Sequence, residues 1–207
     1  MNMDELTDDL KRAFPADPGD LRLLRERLAA AAQADGILDV AYRTVDSPVG
    51  RLLLAATDAG LVRVAYPNED HDAVLQALAD RVSPRILSAP IRLEGAAREL
   101  DEYFSGQRRS FDLPLDWRLS TGFRRAVLSH LTDIGYGRTA SYAAVATLAG
   151  NPKAIRAAAS ACATNPLPIV VPCHRVIYSD GRIGNYLGGR DAKRTLLTLE
   201  LTLEEAK

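Results

Sequence analysis

The residue pattern differs between the N-terminal and C-terminal parts of the chain, and this difference predicts the architecture. Three short apolar segments, 40–45, 52–57 and 61–66, are separated by the turn sequences Ser47–Gly50 and Asp58–Gly60. Short segments of this kind joined by tight turns predict an antiparallel meander. From Thr121 onward the apolar residues recur at helical spacing instead, so the sequence predicts an α+β fold.

The chain is predicted to divide into three parts. Asp20 and Gly36 bracket an N-terminal helix over 21–33, and another helix is expected near 3–13. Two amphipathic helices, over 69–81 and 90–105, follow the meander. The predicted parts are a helical extension (1–38), an α/β domain with an antiparallel sheet (39–116) and a mostly helical domain (117–207) that contains a helix-turn-helix and a short active-site strand.

Composition limits the classes of function. The 207 residues are 47% hydrophobic and include two cysteines, and no apolar run is long enough to span a membrane. The acidic N-terminus has no secretory apolar core, so we expect a cytoplasmic protein without membrane contact. The net charge of −1 hides an asymmetry of −7 over residues 1–117 and +6 over 118–207. A basic C-terminal half indicates a polyanionic partner.

Two short helices in the basic half form a helix-turn-helix pattern. Ser141 caps a helix over 142–149, a break follows at Gly150–Pro152, and a second helix covers 153–163. The second helix is rich in alanine and projects charge only through Lys153 and Arg156. Because it lacks side chains that read base edges, it suits contacts with the DNA backbone and with groove shape, unless it is packed inside the protein.

A cysteine follows what resembles a buried strand. Ile169–Val171 is apolar and β-branched, Pro172 ends it, and Cys173 and His174 come next. A thiol held at a rigid bend beside an imidazole predicts an activated nucleophile, although free cysteines are more commonly inert core residues. Cys162 falls in the helical pattern, where we expect a small core or pocket residue.

Several separated motifs resemble one family, the O6-alkylguanine-DNA alkyltransferases. The resemblance is close over Phe123–Glu200, weaker over 40–116 and absent from 1–38. The motifs are Ile134-Gly-Tyr-Gly-Arg-Thr139, Ser141-Tyr142, Gly150-Asn-Pro-Lys-Ala-Ile-Arg156, Asn165-Pro166, Ile169-Val-Val-Pro-Cys-His-Arg-Val-Ile177, Gly184-Asn-Tyr186 and Gly188-Gly189.

The resemblance implies a set of catalytic residues. Cys173 would accept the alkyl group from guanine O6, and His174 would take the thiol proton through a water molecule. Glu200 would orient His174, and Asn165 would fix the bend at the cysteine. Tyr142 would press on a DNA phosphate to extrude the damaged nucleotide and would donate a proton to the leaving guanine.

The resemblance also implies the residues that contact DNA and the extruded base. Arg156 would fill the vacated space in the duplex, and Lys153, Ala154 and Arg175 would contact DNA. The base pocket would comprise Tyr186, Val176, Leu187, Asn185 and Cys162. Leu187 departs from relatives with a small polar residue at this point, so it would alter the choice among alkyl groups.

The implied function is direct-reversal repair of double-stranded DNA that contains O6-alkylguanine, with O4-alkylthymine as a further substrate. A thioether product has no easy route back, so each protein would act once, as a monomer, and would need no cofactor or metal. Two alternatives stay open: a DNA-binding protein that senses damage without alkyl transfer, and a cysteine hydrolase built on Cys173, His174 and Glu200. The presence of Cys173 argues against the first, and repeated turnover would identify the second.

Overall fold

A computed structural model describes residues 17–205 of the chain. The helices are α1 (Pro18–Ala34), α2 (His71–Arg81), α3 (Glu94–Phe104), α4 (Gly122–Leu131), α5 (Tyr142–Leu148), α6 (Ile155–Ala163) and α7 (Gly189–Glu205). The strands are β1 (Val40–Val45), β2 (Leu52–Thr57), β3 (Gly60–Ala65), β4 (Ile86–Ser88), β5 (Ala140–Ser141) and β6 (Val176–Ile177). This combination confirms the predicted α+β class.

The first four strands form one sheet in the order β3-β2-β1-β4. The predicted meander is confirmed, because β1 pairs antiparallel with β2 and β2 pairs antiparallel with β3. The sheet is nevertheless mixed rather than wholly antiparallel, since β4 runs parallel to β1. Parallel neighbours need a crossover connection, and here the chain crosses from the β3 edge to the β1 edge through α2.

The two faces of the sheet lie in different cores. Successive side chains of a strand point to opposite faces, and β2 is buried on both. Leu53 and Ala55 pack with Val74 and Leu78 of α2. Residues of the opposite face join a larger core that continues through α3 into the C-terminal helices. The helical half of the chain is therefore anchored on one face of the sheet.

The N-terminal helix begins earlier than predicted. The side chain of Asp17, not Asp20, caps α1 by accepting a hydrogen bond from the Gly19 amide at 3.1 Å. Ala29 and Ala32 are its buried residues. The helix expected near 3–13 lies outside the described residues. In the part of the chain that the structure describes, none of the helices is long and apolar enough to cross a membrane.

Helices α5 and α6 agree in outline with the predicted helix pair. The Ser141 hydroxyl accepts a hydrogen bond from the Ala144 amide at 3.1 Å and so caps α5 as expected. The break is longer than the three residues predicted, because α6 begins at Ile155 rather than Lys153. Gly150 lies in this connection with a φ of 85°, a backbone conformation that glycine adopts most readily.

The predicted strand at Ile169–Val171 is wrong. These residues form a turn, and Ile169 has a φ of 73°, which no strand residue adopts. The Val171 amide donates to the Leu167 carbonyl at 2.8 Å, so the backbone closes on itself instead of pairing in a sheet. The strand in this region is β6, which follows the cysteine and pairs with β5.

Candidate active site

Cys173 begins a short 3₁₀ turn, Cys173–Arg175, directly after this bend, and only 1% of its surface is exposed. The Asn165 side-chain amide donates to the Val171 carbonyl at 2.8 Å and lies 3.1 Å from Cys173 Sγ. In return the Asn165 carbonyl oxygen accepts from the Leu167 amide at 3.0 Å. One buried amide therefore holds both sides of the bend and directs a donor at the sulfur.

Burial raises the pKa of the Cys173 thiol to about 11, although Asn165 and the positive charge of Lys193 act in the opposite direction. Desolvation disfavours the charged thiolate, whereas donors and cations favour it. The sulfur is therefore a thiol at neutral pH in this closed arrangement. Its surroundings contain the groups that would stabilise a thiolate once it forms.

The imidazole of His174 is completely buried, and its Nε2 lies 2.8 Å from Glu200 Oε1. Burial lowers the pKa of His174 more than the adjacent carboxylate raises it, so the ring is neutral. A neutral imidazole carries one proton, and a carboxylate partner draws that proton to Nε2. The Nδ1 atom then carries the lone pair, and it has no hydrogen-bond partner among the described residues.

Glu200 collects donors from three other parts of the chain. Tyr103 of α3 donates its hydroxyl to Oε1 at 2.7 Å, and the Gly137 amide donates to Oε2 at 3.2 Å. Arg175 adds its Nε at 3.0 Å and its Nη2 at 2.9 Å. Burial alone would raise the pKa of Glu200, but the hydrogen bonds from His174 and Arg175 and the positive charge of Arg175 lower it to about 2. The carboxylate is thus held ionised.

The prediction that Arg175 contacts DNA disagrees with the structure. Its side chain is buried, and its guanidinium group is occupied by Glu200 and by the Ile134 carbonyl, which accepts from Nη1 at 2.5 Å. A buried carboxylate needs a compensating cation, and Arg175 supplies it. Arg175 therefore stabilises the carboxylate of the His174–Glu200 pair.

Tyr186 is brought to the same site. Its ring centroid lies 6.5 Å from that of His174, and its hydroxyl lies 2.8 Å from the hydroxyl of Tyr66. Tyr66 follows β3 directly, so the N-terminal sheet reaches the interior of the site. Sequence reasoning missed Tyr66 and Tyr103, because nothing local in either segment indicates a contact so far along the chain.

Lys193 is a third residue that sequence reasoning missed. It is fully buried, its Nζ donates to the Val176 carbonyl at 2.6 Å, and it lies 5.9 Å from the ring centroids of both Tyr142 and Tyr186. Burial lowers its pKa. A helical-periodicity signal was available, because Lys193, Leu196 and Glu200 recur at spacings of three and four and all three are buried.

Tyr142 opens α5 and is buried beside the loop that carries Tyr186. A β-carbon added to Gly184 would lie 2.6 Å from the Tyr142 hydroxyl, which shows how closely that loop approaches. Burial raises the pKa of Tyr142 to about 12. Cys162 of α6 is buried too, and burial raises its pKa to about 12.

Three other residues predicted to contact DNA lie at the start of α6 or in the connection just before it. Lys153 and Arg156 are exposed, and Ala154 is half-buried. Arg156 and Tyr142 line the same cavity, of about 270 Å³. The alternative that this alanine-rich helix is wholly internal is therefore wrong, since one face is open and the other, with Ala158 and Ala161, is packed.

The remaining predicted pocket residues are dispersed. Val176 is completely buried next to the cysteine turn, whereas Asn185 is exposed. Leu187 lines a different cavity, behind the site, and its carbonyl accepts from the Asn68 side chain at 2.9 Å. Among the side chains that the structure describes, no cluster of three histidine, cysteine or acidic residues is arranged to hold a metal ion.

The site thus combines a buried thiol with a neutral histidine that is hydrogen-bonded to an ionised carboxylate. It belongs to an α+β protein whose two-helix surface is exposed on one side. Comparison with known families identifies it further. Residues 40–117 match the model of the 6-O-methylguanine DNA methyltransferase ribonuclease-like domain, and residues 122–202 match that of its DNA binding domain. The chain belongs to the 6-O-methylguanine DNA methyltransferase family.

Individual relatives agree with this assignment. A methylated-DNA–protein-cysteine methyltransferase of Mycolicibacterium paratuberculosis is 41% identical over 78% of this chain and 92% of its own length. The bifunctional transcriptional activator/DNA repair enzyme Ada of Escherichia coli is 35% identical over 96% of this chain and 57% of its own length. The crystal structure of Mycobacterium tuberculosis OGT in complex with DNA matches with a TM-score of 0.70 and 37% identity, covering 79% of this chain and 94% of that one.

Proposed function

We propose that this protein repairs DNA by moving an alkyl group from O6-alkylguanine in a duplex to Cys173, once per molecule. The observation that carries the proposal is the Asn165–Cys173 contact at 3.1 Å beside the His174–Glu200 hydrogen bond at 2.8 Å. Family membership and relatives named as methylated-DNA–protein-cysteine methyltransferases support the same reaction.

The path of the thiol proton follows from the tautomer of His174. Glu200 holds the proton on Nε2, so Nδ1 is the base that receives the thiol proton, through one water molecule. The resulting imidazolium is stabilised by the ionised Glu200, whose pKa of about 2 keeps it charged at every physiological pH. The thiolate forms next to the Asn165 amide and Lys193, which both favour negative charge on the sulfur.

In the displacement, the sulfur–carbon bond forms as the bond between carbon and guanine O6 breaks. The departing guanine anion takes up one proton, for which the Tyr142 hydroxyl is our candidate donor. The thiol proton held by His174 balances the tyrosinate that this leaves, and transfer of that proton returns both side chains to their neutral forms. Its pKa, raised to about 12 by burial, keeps it protonated before the reaction. The thioether product is stable, so Cys173 is consumed.

Access to O6 requires that the nucleotide leave the base stack, which costs a few kcal/mol. We propose that the exposed face of α6 enters the minor groove and that Arg156 occupies the space left by the flipped nucleotide. The exposed Arg156 and the buried Tyr142 line one cavity, which supports a shared part in this step. O4-alkylthymine presents an equivalent carbon on oxygen and is proposed as a further substrate.

The intact mass of the protein tests the proposal. After reaction with excess duplex containing one O6-methylguanine, we expect each molecule to gain one methyl group on the peptide that contains Cys173, and no more. Cys173→Ala should gain none while it still binds the duplex. Absence of the adduct, or repeated turnover on an ester or amide substrate, would refute single-event repair.

A further inference from the structure

A second cavity lies behind the active site, between the N-terminal sheet and the C-terminal helices. Its volume is about 410 Å³, within the range of pockets that hold small organic molecules. One wall is apolar and includes Ala73, Ala77 and Leu78 of α2. The rest of the lining includes three arginines, Arg63, Arg124 and, from the end of α2, Arg81, and we name the space the arginine cavity.

The positive charge of this cavity is only partly neutralised. Glu69 is the one carboxylate in the lining, and it already forms an ion pair with Arg63. The guanidinium group of Arg81 makes no hydrogen bond or ion pair with any residue that the structure describes. Two positive charges therefore face one small space without an anionic partner.

Arg124 shows the cost of this arrangement. One of its terminal nitrogens donates to the Thr164 carbonyl, but its Nε is buried and has no acceptor among the described residues. Burial lowers its pKa, and the nearby charges of Arg81 and Arg63 lower it further. An unpaired buried donor and mutual repulsion are both relieved by an anion.

We propose that the arginine cavity binds a small phosphate monoester, with its phosphate on Arg81 and Arg124 and an apolar or aromatic body against α2. Guanidinium groups recognise phosphate through paired, charge-assisted hydrogen bonds. The apolar wall excludes a bare inorganic anion as the preferred ligand, because such an ion would leave that wall without a partner. A nucleoside monophosphate combines both features.

The cavity is lined by residues adjacent in sequence to two residues of the active site. Leu187 lies next to Tyr186 in the chain, and Thr164 and Pro166 flank Asn165. An occupant would therefore press on the two segments that carry a site tyrosine and the amide beside Cys173.

Calorimetric titration of the full chain with dGMP, deoxyguanosine and inorganic phosphate tests the proposal at matched ionic strength. We expect dGMP to bind at least about tenfold more tightly than either deoxyguanosine or phosphate alone, since one charge-assisted contact supplies about that factor. Equal binding of deoxyguanosine and dGMP would overturn it, as would no binding of dGMP at millimolar concentration.

Single substitutions show where dGMP binds on the protein. Arg81→Gln changes an exposed side chain on α2 and should weaken dGMP about tenfold. Arg98→Gln, a matched exposed change on α3, should leave it unaltered. Arg156→Ala tests the outer face of α6. If Arg156→Ala abolishes binding while Arg81→Gln does not, the nucleotide occupies that outer face and the arginine cavity is not a site.

Discussion

The hydroxyl oxygen of Tyr66 lies 2.8 Å from that of Tyr186, and the two rings meet edge to face with centroids 5.6 Å apart. Both side chains are buried, and burial raises the pKa of each, so both hydroxyls stay protonated. One of them donates to the other. If Tyr66 donates, the Tyr186 hydroxyl proton is free to turn toward Cys173. Tyr66, which directly follows β3, then acts on the sulfur through the Tyr186 hydroxyl.

Tyr66→Phe should slow alkyl transfer several-fold without weakening DNA binding, because it removes the hydroxyl partner of Tyr186 and leaves a buried polar group less well satisfied. Single-turnover rates on a duplex with one O6-methylguanine measure the first effect, and a binding titration measures the second. The matched change Tyr42→Phe, in the partly buried Tyr42 of β1, should alter neither. Equal rates for all three proteins would exclude a contribution of this hydroxyl.

Gly188→Ala should destabilise the fold by about 1–3 kcal/mol, as expected for an overpacked core. The added β-carbon would lie 2.7 Å from ring atoms of Tyr66, and a buried ring has little room to move. Urea denaturation gives the free energy of unfolding. Gly95→Ala is the control, because its β-carbon meets nothing within 4 Å and should stabilise α3.

A double variant separates this clash from other effects of the substitution. Gly188→Ala with Tyr66→Leu removes the ring that the new methyl group meets, so it should be more stable than the sum of the two single changes predicts. If the two changes in the free energy of unfolding are simply additive, the destabilisation by Gly188→Ala does not come from a clash with the Tyr66 ring.

Glu200→Gln should lower the free energy of unfolding by about 3–5 kcal/mol at pH 7, because it leaves Arg175 buried without its anion. The native pKa of about 2 lies below the usual 4.5, so the ionised carboxylate stabilises the protein above pH 4.5 and loses this effect as the pH falls toward 2. The difference between wild type and variant should therefore shrink over this interval. A difference that stays constant from pH 7 to the acid limit would contradict the assignment.

Without DNA, the reaction of Cys173 with iodoacetamide should accelerate about tenfold per pH unit and continue past pH 8.5, the usual pKa of a cysteine. The reason is that burial raises the pKa of this thiol to about 11. Peptide mapping by mass spectrometry separates its product from that of Cys162. A plateau at or below pH 8.5 would mean that the free protein already holds a thiolate.

The sequence predicted features that depend on local chemistry. Short apolar segments separated by tight turns predicted β1, β2 and β3, and the Pro-Cys-His sequence singled out Cys173 and His174. The family resemblance added Asn165 and Glu200. Ile169–Val171 misled because three β-branched residues imitate a strand, while flanking prolines and a positive φ at Ile169 make a turn. The intrinsic preference of these residues for a β-strand is therefore outweighed by the backbone hydrogen bond that closes the turn.

Long-range contacts escaped prediction for a different reason. Tyr66 and Tyr103 are separated by 120 and 97 residues from their partners, and hydroxyls paired across such distances produce no periodic signal. Arg175 was misassigned because an arginine beside a nucleophile in a basic region is equally typical of a phosphate contact and of a buried counterion. Only the packing around Glu200 distinguishes the two.

Glu200 lies in α7, 27 residues after Cys173 in the chain. Its carboxylate accepts hydrogen bonds from α3, the Gly137 turn and Arg175. During synthesis the cysteine thus leaves the ribosome before the carboxylate that is hydrogen-bonded to His174. A partly made or poorly folded chain therefore carries the thiol without the His174–Glu200 hydrogen bond. If Cys173 is consumed in one reaction, as proposed above, its dependence on α7 keeps an incompletely folded molecule from using up its thiol.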